Sequence, residues 1–309
     1  MRDVRTWDVP VGRRADGTPW LIRFVEVIGT AGGPTTAFVS GVFGDKPLGT
    51  LALWALVRRL EGMPELEGSV VLCPAANPPA LEVGTRVSPD HLYLNRVFPG
   101  SAHGALTNQV ASAVVNEVLQ RTDHVIDLHS GSPTMALWYT YDYGDLELSA
   151  SFGYTPVVTR FAQPGQLSKA VVDAGGRSAL VEFGGGSLGD PSIGVEGCLN
   201  VLRYRGHLGG RPTGPGRVPL IEGDVDLYVP SDVGVLTTAY PTEHVGHHVE
   251  GGPVAWLEVP GTGERIDEFG ARGGGGLLLL ANASPTMIAP GAFASAVGYP
   301  SGEVDVPGA

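Results

Sequence analysis

The chain has 309 residues, 43% of them hydrophobic and 17% charged, enough to bury a large core and free of the polar blocks that mark disorder. Its formal net charge of -12 argues against nucleic acid or an anionic membrane as a partner, since either wants a basic surface. The longest aliphatic run, Leu277 to Leu280, is far too short to span a bilayer, and two cysteines, Cys73 and Cys198, make no disulfide framework, so the expected location is a reducing cytoplasm.

In chain order, residues 1–12 are polar and strand-like, without the apolar core of a signal peptide. Residues 21–28 and 35–40 are β-branched and apolar and end in glycine-rich turns, as strands do. Residues 47–61 place Leu48, Leu51, Leu53, Leu56, Val57 and Leu60 as the buried face of a helix, with Pro47 tolerated in its first turn. A strand over 69–73 is followed by a proline-rich loop to Gly100, a helix over 108–119 and a buried strand over 124–129. Further strands are expected over 138–143, 156–161 and 178–183, with helices over 165–174 and 193–204. This alternation predicts an α/β domain over residues 1–208, a mixed sheet flanked by helices, with sites at the carboxyl ends of its strands. Residues 206–216 read as a linker, and residues 209–309, short segments between glycines, predict a smaller β-rich carboxyl-terminal domain.

Several motifs stand in that frame. They are Gly41-Val42-Phe43-Gly44-Asp45-Lys46-Pro47-Leu48-Gly49, Asn77-Pro78-Pro79-Ala80 with Arg86, Leu94-Asn95-Arg96-Val97-Phe98-Pro99-Gly100, Asp127-Leu128-His129 and Val181-Glu182-Phe183-Gly184. Their order and spacing resemble the succinylglutamate desuccinylase/aspartoacylase family, relatives of the zinc carboxypeptidases, with its G-x-H-G-x-E-x-x-G, N-P-x-A, D-L-N-R-x-F-P-G, D-x-H and V-E-x-G segments. The resemblance implies a zinc-carboxypeptidase-like fold and a zinc held by two histidines and a glutamate, the fourth position being left for water or substrate. Here Phe43 stands at the first histidine position and Lys46 at the glutamate position, so His129 alone remains, and Tyr93 replaces the aspartate before Leu-Asn-Arg. An aromatic ring cannot donate to zinc and an ammonium repels it, so no metal and no other cofactor is expected.

The resemblance also implies roles. Arg96 and Asn95 bind the substrate carboxylate, a task for which a guanidinium fork is suited; the alternative is a structural arginine bridging loop carbonyls. Arg86 polarises the scissile carbonyl and can stabilise an oxyanion without metal. Glu182 is the general base and acid, and a glutamate ending an apolar strand needs a partner, for which Lys46 is a candidate. Lys46 is one of only two lysines among 20 basic residues, which makes its place in a motif loop notable. His129 is either a general base or a histidine satisfied by Asp127 or backbone. His244, His247 and His248 read as a solvated turn, Trp138, Tyr139, Tyr141 and Tyr143 as strand packing that can also line a pocket, and Cys73 as core. The runs 184–186 and 273–276 lack the Lys-Ser/Thr of a phosphate loop.

Three functions follow. The first is a metal-independent enzyme acting on a small carboxylate-bearing substrate, an N-acyl amino acid or biosynthetic intermediate. Glu182, Lys46, His129 and Arg86 would be its catalytic groups and Asn95 and Arg96 its substrate anchors, in amide hydrolysis, acyl transfer, cyclisation or elimination; reactions needing only proton transfer and charge stabilisation suit these residues best. The second is a non-catalytic carboxylate-binding protein. The third is a zinc amidohydrolase with an altered ligand set such as His129 and Asp45. The resemblance implies that the small domain caps the pocket or supports a homo-oligomer.

Overall fold

The computed structural model describes residues 3–309, so Met1 and Arg2 of the first expected strand lie outside the described residues. The chain opens with β1 (Asp3–Val11), β2 (Trp20–Ile28) and β3 (Thr30–Val39), then α1 (Leu48–Glu61) and β4 (Glu67–Cys73). The 74–105 loop holds two short helical turns, α2 (Pro78–Val83) and a 3-10 turn at Leu94–Arg96. After it come α3 (Leu106–Leu119), β5 (His124–Ser130), β6 (Met135–Asp142), α4 (Leu146–Ala150), β7 (Val157–Val158), α5 (Leu167–Asp173), β8 (Arg177–Gly185) and α6 (Ser192–Tyr204).

The central strands β4, β3, β5 and β8 are parallel neighbours, joined by antiparallel β2 on one side and antiparallel β6 on the other. Parallel strands need covering on both faces. Here α1 and α6 cover one face, over Phe38, Leu53, Leu56, Ile126 and Val181, and α3 and α5 cover the other, over Val39, Val71, Val110, Val114 and Val125. The α1 stripe runs through Leu48, Ala52, Leu53, Leu56, Val57 and Leu60. Leu51, expected in that stripe, is 54% exposed, because it lies one helical step off the line that 48, 52, 56 and 60 draw at near-fourfold spacing. Two other expectations are trimmed. The strand over 156–161 reduces to β7, and α5 starts at Leu167 because Gly165 takes a left-handed φ of 75°.

The carboxyl-terminal third is built of β9 (Arg217–Ile221), β10 (Val225–Tyr228), β11 (Gly234–Thr238), β12 (His248–Val249), β13 (Gly252–Glu258), β14 (Arg265–Ala271), β15 (Gly276–Asn282), β16 (Thr286–Ile288), β17 (Ser295–Gly298) and β18 (Gly302–Asp305). β14, β13, β11 and β16 form an antiparallel sheet of their own. β15 instead pairs with β6, Leu280 opposite Leu137, and carries β17 and β10 after it, so the main sheet runs β1-β2-β4-β3-β5-β8-β6-β15-β17-β10. No helix among the described residues is long and apolar enough to cross a membrane.

Candidate active site

The turn after β3 is shaped by two glycines. Gly41 has φ 69°, and a side chain on Gly44 would put its Cβ 2.0 Å from the Ala80 carbonyl oxygen and 2.5 Å from that of Thr85. Asn77 ties the same turn to the next loop. Its Nδ2 donates to the Val42 carbonyl at 3.0 Å, its Oδ1 accepts from the Ala80 amide at 3.3 Å and from Ser88 Oγ at 3.0 Å, and its own amide donates to the Gly41 carbonyl. These bonds fix where Phe43 and Lys46 enter the cleft.

Strand register supplies the floor. Glu182 on β8 lies opposite His129 on β5 and Tyr139 on β6, so the three side chains share one face at the carboxyl end of the parallel strands. Lys46 Nζ donates to Glu182 Oε2 at 3.5 Å, and their side chains are 3% and 10% exposed. Burial pushes the Lys46 ammonium below its ordinary range; Glu182 and Asp45 oppose that shift and the Arg86 guanidinium adds to it. Phe43 has Lys46 Nζ 5.2 Å and the Arg86 guanidinium 4.8 Å from its ring centroid, and its ring meets that of His129 edge-on at 5.5 Å.

His129 does not reach the cleft. Its side chain is 2% exposed, and Nε2 approaches Asp127 Oδ1 at 2.8 Å without the alignment of a hydrogen bond, leaving these atoms of two buried polar side chains poorly satisfied. Among the described residues no three His, Cys, Asp or Glu side chains converge in a metal-holding cluster. The two positions at which the resemblance implies a histidine and a glutamate carry Phe43 and Lys46, and Asp45 adds one buried oxygen without a third donor. This donor set does not fit zinc.

The mouth is cationic. Arg96 follows Asn95 in the 3-10 turn and donates from Nη1 to the Asn95 carbonyl at 2.6 Å. Asn95 Oδ1 accepts from the Leu167 amide at 3.1 Å, which docks the start of α5 and leaves the side-chain amide nitrogen without a protein partner among the described residues. Neither Arg86 nor Arg96 pairs with a carboxylate among the described residues, although acidic side chains outnumber basic ones 32 to 20 in the chain. The cleft therefore holds two guanidiniums without carboxylate partners together with the buried Lys46 ammonium.

The cleft, about 740 Å³ with its open mouth included, brings together Phe43, Lys46, Arg86, Asn95, Arg96 and Glu182. Its walls were less legible in the sequence. Tyr139, Tyr141 and Phe161 form a contiguous aromatic strip, with centroid separations of 4.7 and 5.4 Å. Burial raises the phenols of Tyr139 and Tyr141, so both stay neutral. Gln163 and Gln166 edge the cleft, and Gln166 Oε1 accepts from Tyr143 OH at 2.5 Å and the Gln163 amide at 2.8 Å. The alternation at 139, 141 and 143 was the one available signal; no motif marks the cleft residues of β10, β15 and β17. The rings of His244 and His247 lie 5.7 Å apart and tilted by 54° in the turn before β12, with His244 Nε2 donating to the His248 carbonyl at 3.0 Å, and do not line the cleft.

Residues 32–195 match the succinylglutamate desuccinylase/aspartoacylase catalytic domain. The chain is 31% identical over 227 residues to the N-alpha-acetyl-L-2,4-diaminobutyric acid deacetylase of Halomonas elongata, a match spanning 67% of this chain and 66% of that protein. Among solved structures, a succinylglutamate desuccinylase from Silicibacter sp. superposes with a TM-score of 0.81 at 25% identity, covering 97% of this chain and 96% of that one. The product-bound ectoine utilization protein EutE of Ruegeria pomeroyi does so at 0.79 and 25%, with the same coverage. A match over more than half of the chain, on the segment that carries the cleft's charged residues, makes this protein a member of the succinylglutamate desuccinylase/aspartoacylase family.

Proposed function

We propose that the protein is an enzyme that works at the acyl carbonyl of a small N-acyl amino acid or related carboxylate, without zinc at the family's position. One observation carries the reading: the place of a metal ligand is taken by Lys46, buried 3.5 Å from Glu182 and beside Arg86 at the foot of a cleft with a cationic mouth. Arg96 and the free amide of Asn95 hold the substrate carboxylate. Arg86 and Lys46 face the acyl oxygen and stabilise the negative charge that develops there. Glu182 takes the proton of the attacking water as its oxygen adds to the acyl carbon, and returns it to the amine as the C–N bond breaks. His129, shut behind Phe43 and turned to Asp127, positions the Phe43 ring and takes no direct step.

The relatives support deacylation as the first reaction to assay, since one is a deacetylase and another a succinylglutamate desuccinylase. Capture of the same carbonyl by an amine within the substrate would use the same groups and release water, and product mass distinguishes the two. A second reading, a binder without turnover, draws on the same ion pair, which engages the proposed base. The test is elemental analysis of the purified protein with an assay of N-acyl amino acids, with and without chelator. Turnover that survives chelator in metal-free protein and falls in Glu182→Gln supports the proposal. Stoichiometric zinc with activity abolished by chelator overturns it, and retained affinity with no turnover leaves the binder.

A further inference from the structure

We infer that the substrate is amphipathic: a carboxylate joined through its acyl group to an aryl or medium-chain alkyl tail, instead of the acetyl or succinyl group in the relatives' names. This rests on the reading of the cleft as a carboxylate-binding active site. The cleft has two unlike walls. Its charged and amide side chains all come from residues 43–182, whereas the residues that line it from the carboxyl-terminal strands and their loops, among them Leu279, Phe293 and Ala296, are apolar; polar Asn282 and Thr286 line only the adjoining cavity beside Tyr93. The aromatic strip crosses between the walls. Tyr139 lies beside Glu182 in the sheet register, Tyr141 follows at 4.7 Å, and Phe161 stacks on Tyr141 at 5.4 Å with an interplanar angle of 13°. Phe43 adds an apolar ring beside Lys46, at the point where the acyl carbon must sit.

A wholly polar ligand would strip water from its own groups against the apolar wall and gain nothing for it. An acetyl methyl would cover almost none of that wall. A tail lying over the strip and against Leu279 and Phe293 removes apolar surface on both sides, the favourable exchange for such a wall. The anionic head is still held by Arg96 and Asn95, which belong to the polar side of the same cleft.

The probe is a series of 4-oxoalkanoates, which keep the carboxylate-to-carbonyl spacing of an N-acylglycine with CH2 in place of NH and cannot be hydrolysed. Calorimetry on the wild-type chain should show Kd falling about fourfold for each methylene added between 4-oxopentanoate and 4-oxononanoate, with 4-oxo-4-phenylbutanoate also tighter than 4-oxopentanoate. Ala296→Leu, which fills the cleft, and half-buried Phe161→Ala, which empties it, should each erase most of that gain and leave 4-oxopentanoate within about twofold; thermal melts confirm that both fold. A flat series, or 4-oxopentanoate as the tightest ligand, overturns the inference. Assays of the matching N-acylglycines separate it from the proposed function. Tight binding of long tails without turnover of any N-acylglycine sinks the enzyme and keeps the tail. Turnover of N-acetylglycine with a flat binding series keeps the enzyme and sinks the tail.

Discussion

The tightest ion pairs among the described residues are on the surface, and one of the two longest is buried in the cleft. Arg272 bonds Asp224 and Asp226 at 2.8 Å each, adds a second bond from Nε to Asp226, and lies 4.0 Å from the Tyr299 ring, yet its side chain is 51% exposed. Lys46 and Glu182 share a single 3.5 Å contact and are almost fully buried. Exposed pairs contribute little whatever their geometry, and buried pairs recover their desolvation cost only when geometry is excellent. A buried pair with one long contact is therefore poorly explained by stability. Perturbed, desolvated charges in a cleft are what proton-transfer chemistry requires.

The sharpest way to break that contrast is to remove the buried charges one at a time and then together. Glu182→Gln should cost about 10²–10⁴-fold in turnover, the usual worth of a positioned acid or base. Lys46→Met leaves a buried carboxylate alone and should destabilise by roughly 3–5 kcal/mol, whereas the double variant Lys46→Met/Glu182→Leu should recover most of that loss without activity. Denaturant titration of the three chains checks this, and a double variant as unstable as the single would show the pair to be structural. The pH dependence has a defined sign. The folded state holds the Lys46 proton less tightly than an unfolded lysine of pKa about 10.5, so between the two values the unfolded chain binds more protons and stability rises with pH. Lys46→Met should flatten that alkaline rise.

His207 is a buried titratable group whose hydrogen bonds, unlike those of Lys46, are well formed. Its Nδ1 must donate to the Glu67 carbonyl, at 2.8 Å, and its Nε2 then accepts from Thr36 Oγ1 at 2.9 Å, so the neutral ring is fully satisfied. Burial lowers its pKa from 6.5 to about 4. The unfolded chain takes up a proton there as pH falls through 6.5 while the folded chain does not. The contribution is complete above 6.5 and is lost as pH falls toward 4, about 3 kcal/mol over the window. Equilibrium unfolding from pH 7 to pH 4 should show that acid slope in the wild type and a shallower one in His207→Gln. No loss of activity beyond that expected from stability should accompany it, because His207 lies away from the cleft.

The same division between local and distant information decides what was legible in the sequence. Strand-then-helix alternation from β2 to α6 reads directly, since each element carries its own period and turn residues. The motif loops mark the cleft's charged residues because Gly44 and Asn77 act within a short stretch of chain. α2 and α4 span six and five residues, too few to display a period. Leu51 escaped because a stripe of leucines looks continuous until the helical phase is counted. The Lys46–Glu182 contact spans 136 positions but was legible, because each residue sits in a motif and a buried glutamate needs a cation, whereas the β6–β15 pairing that brings the apolar wall to the cleft is a long-range antiparallel contact with no motif at either strand. A reading limited to motifs therefore recovers the polar half of the site and misses the apolar half.

The smallest expected effect belongs to the surface network, and its smallness is the point of measuring it. Arg272→Ala removes the side chain that bonds Asp224 and Asp226 and lies against Tyr299, the best ion-pair geometry described above. Solvent already screens these charges and the long side chain gives up rotamer freedom to hold its place, so the melting temperature should stay within a degree or so of wild type. Turnover should be unchanged, since no atom of the network lines the cleft. Raising ionic strength should narrow even that difference, because exposed pairs are screened and buried ones are not. A large, salt-insensitive loss on Arg272→Ala would mean that geometry, and not burial, ranks the ion pairs here. Burial would then not set Lys46 and Glu182 apart from the surface pairs.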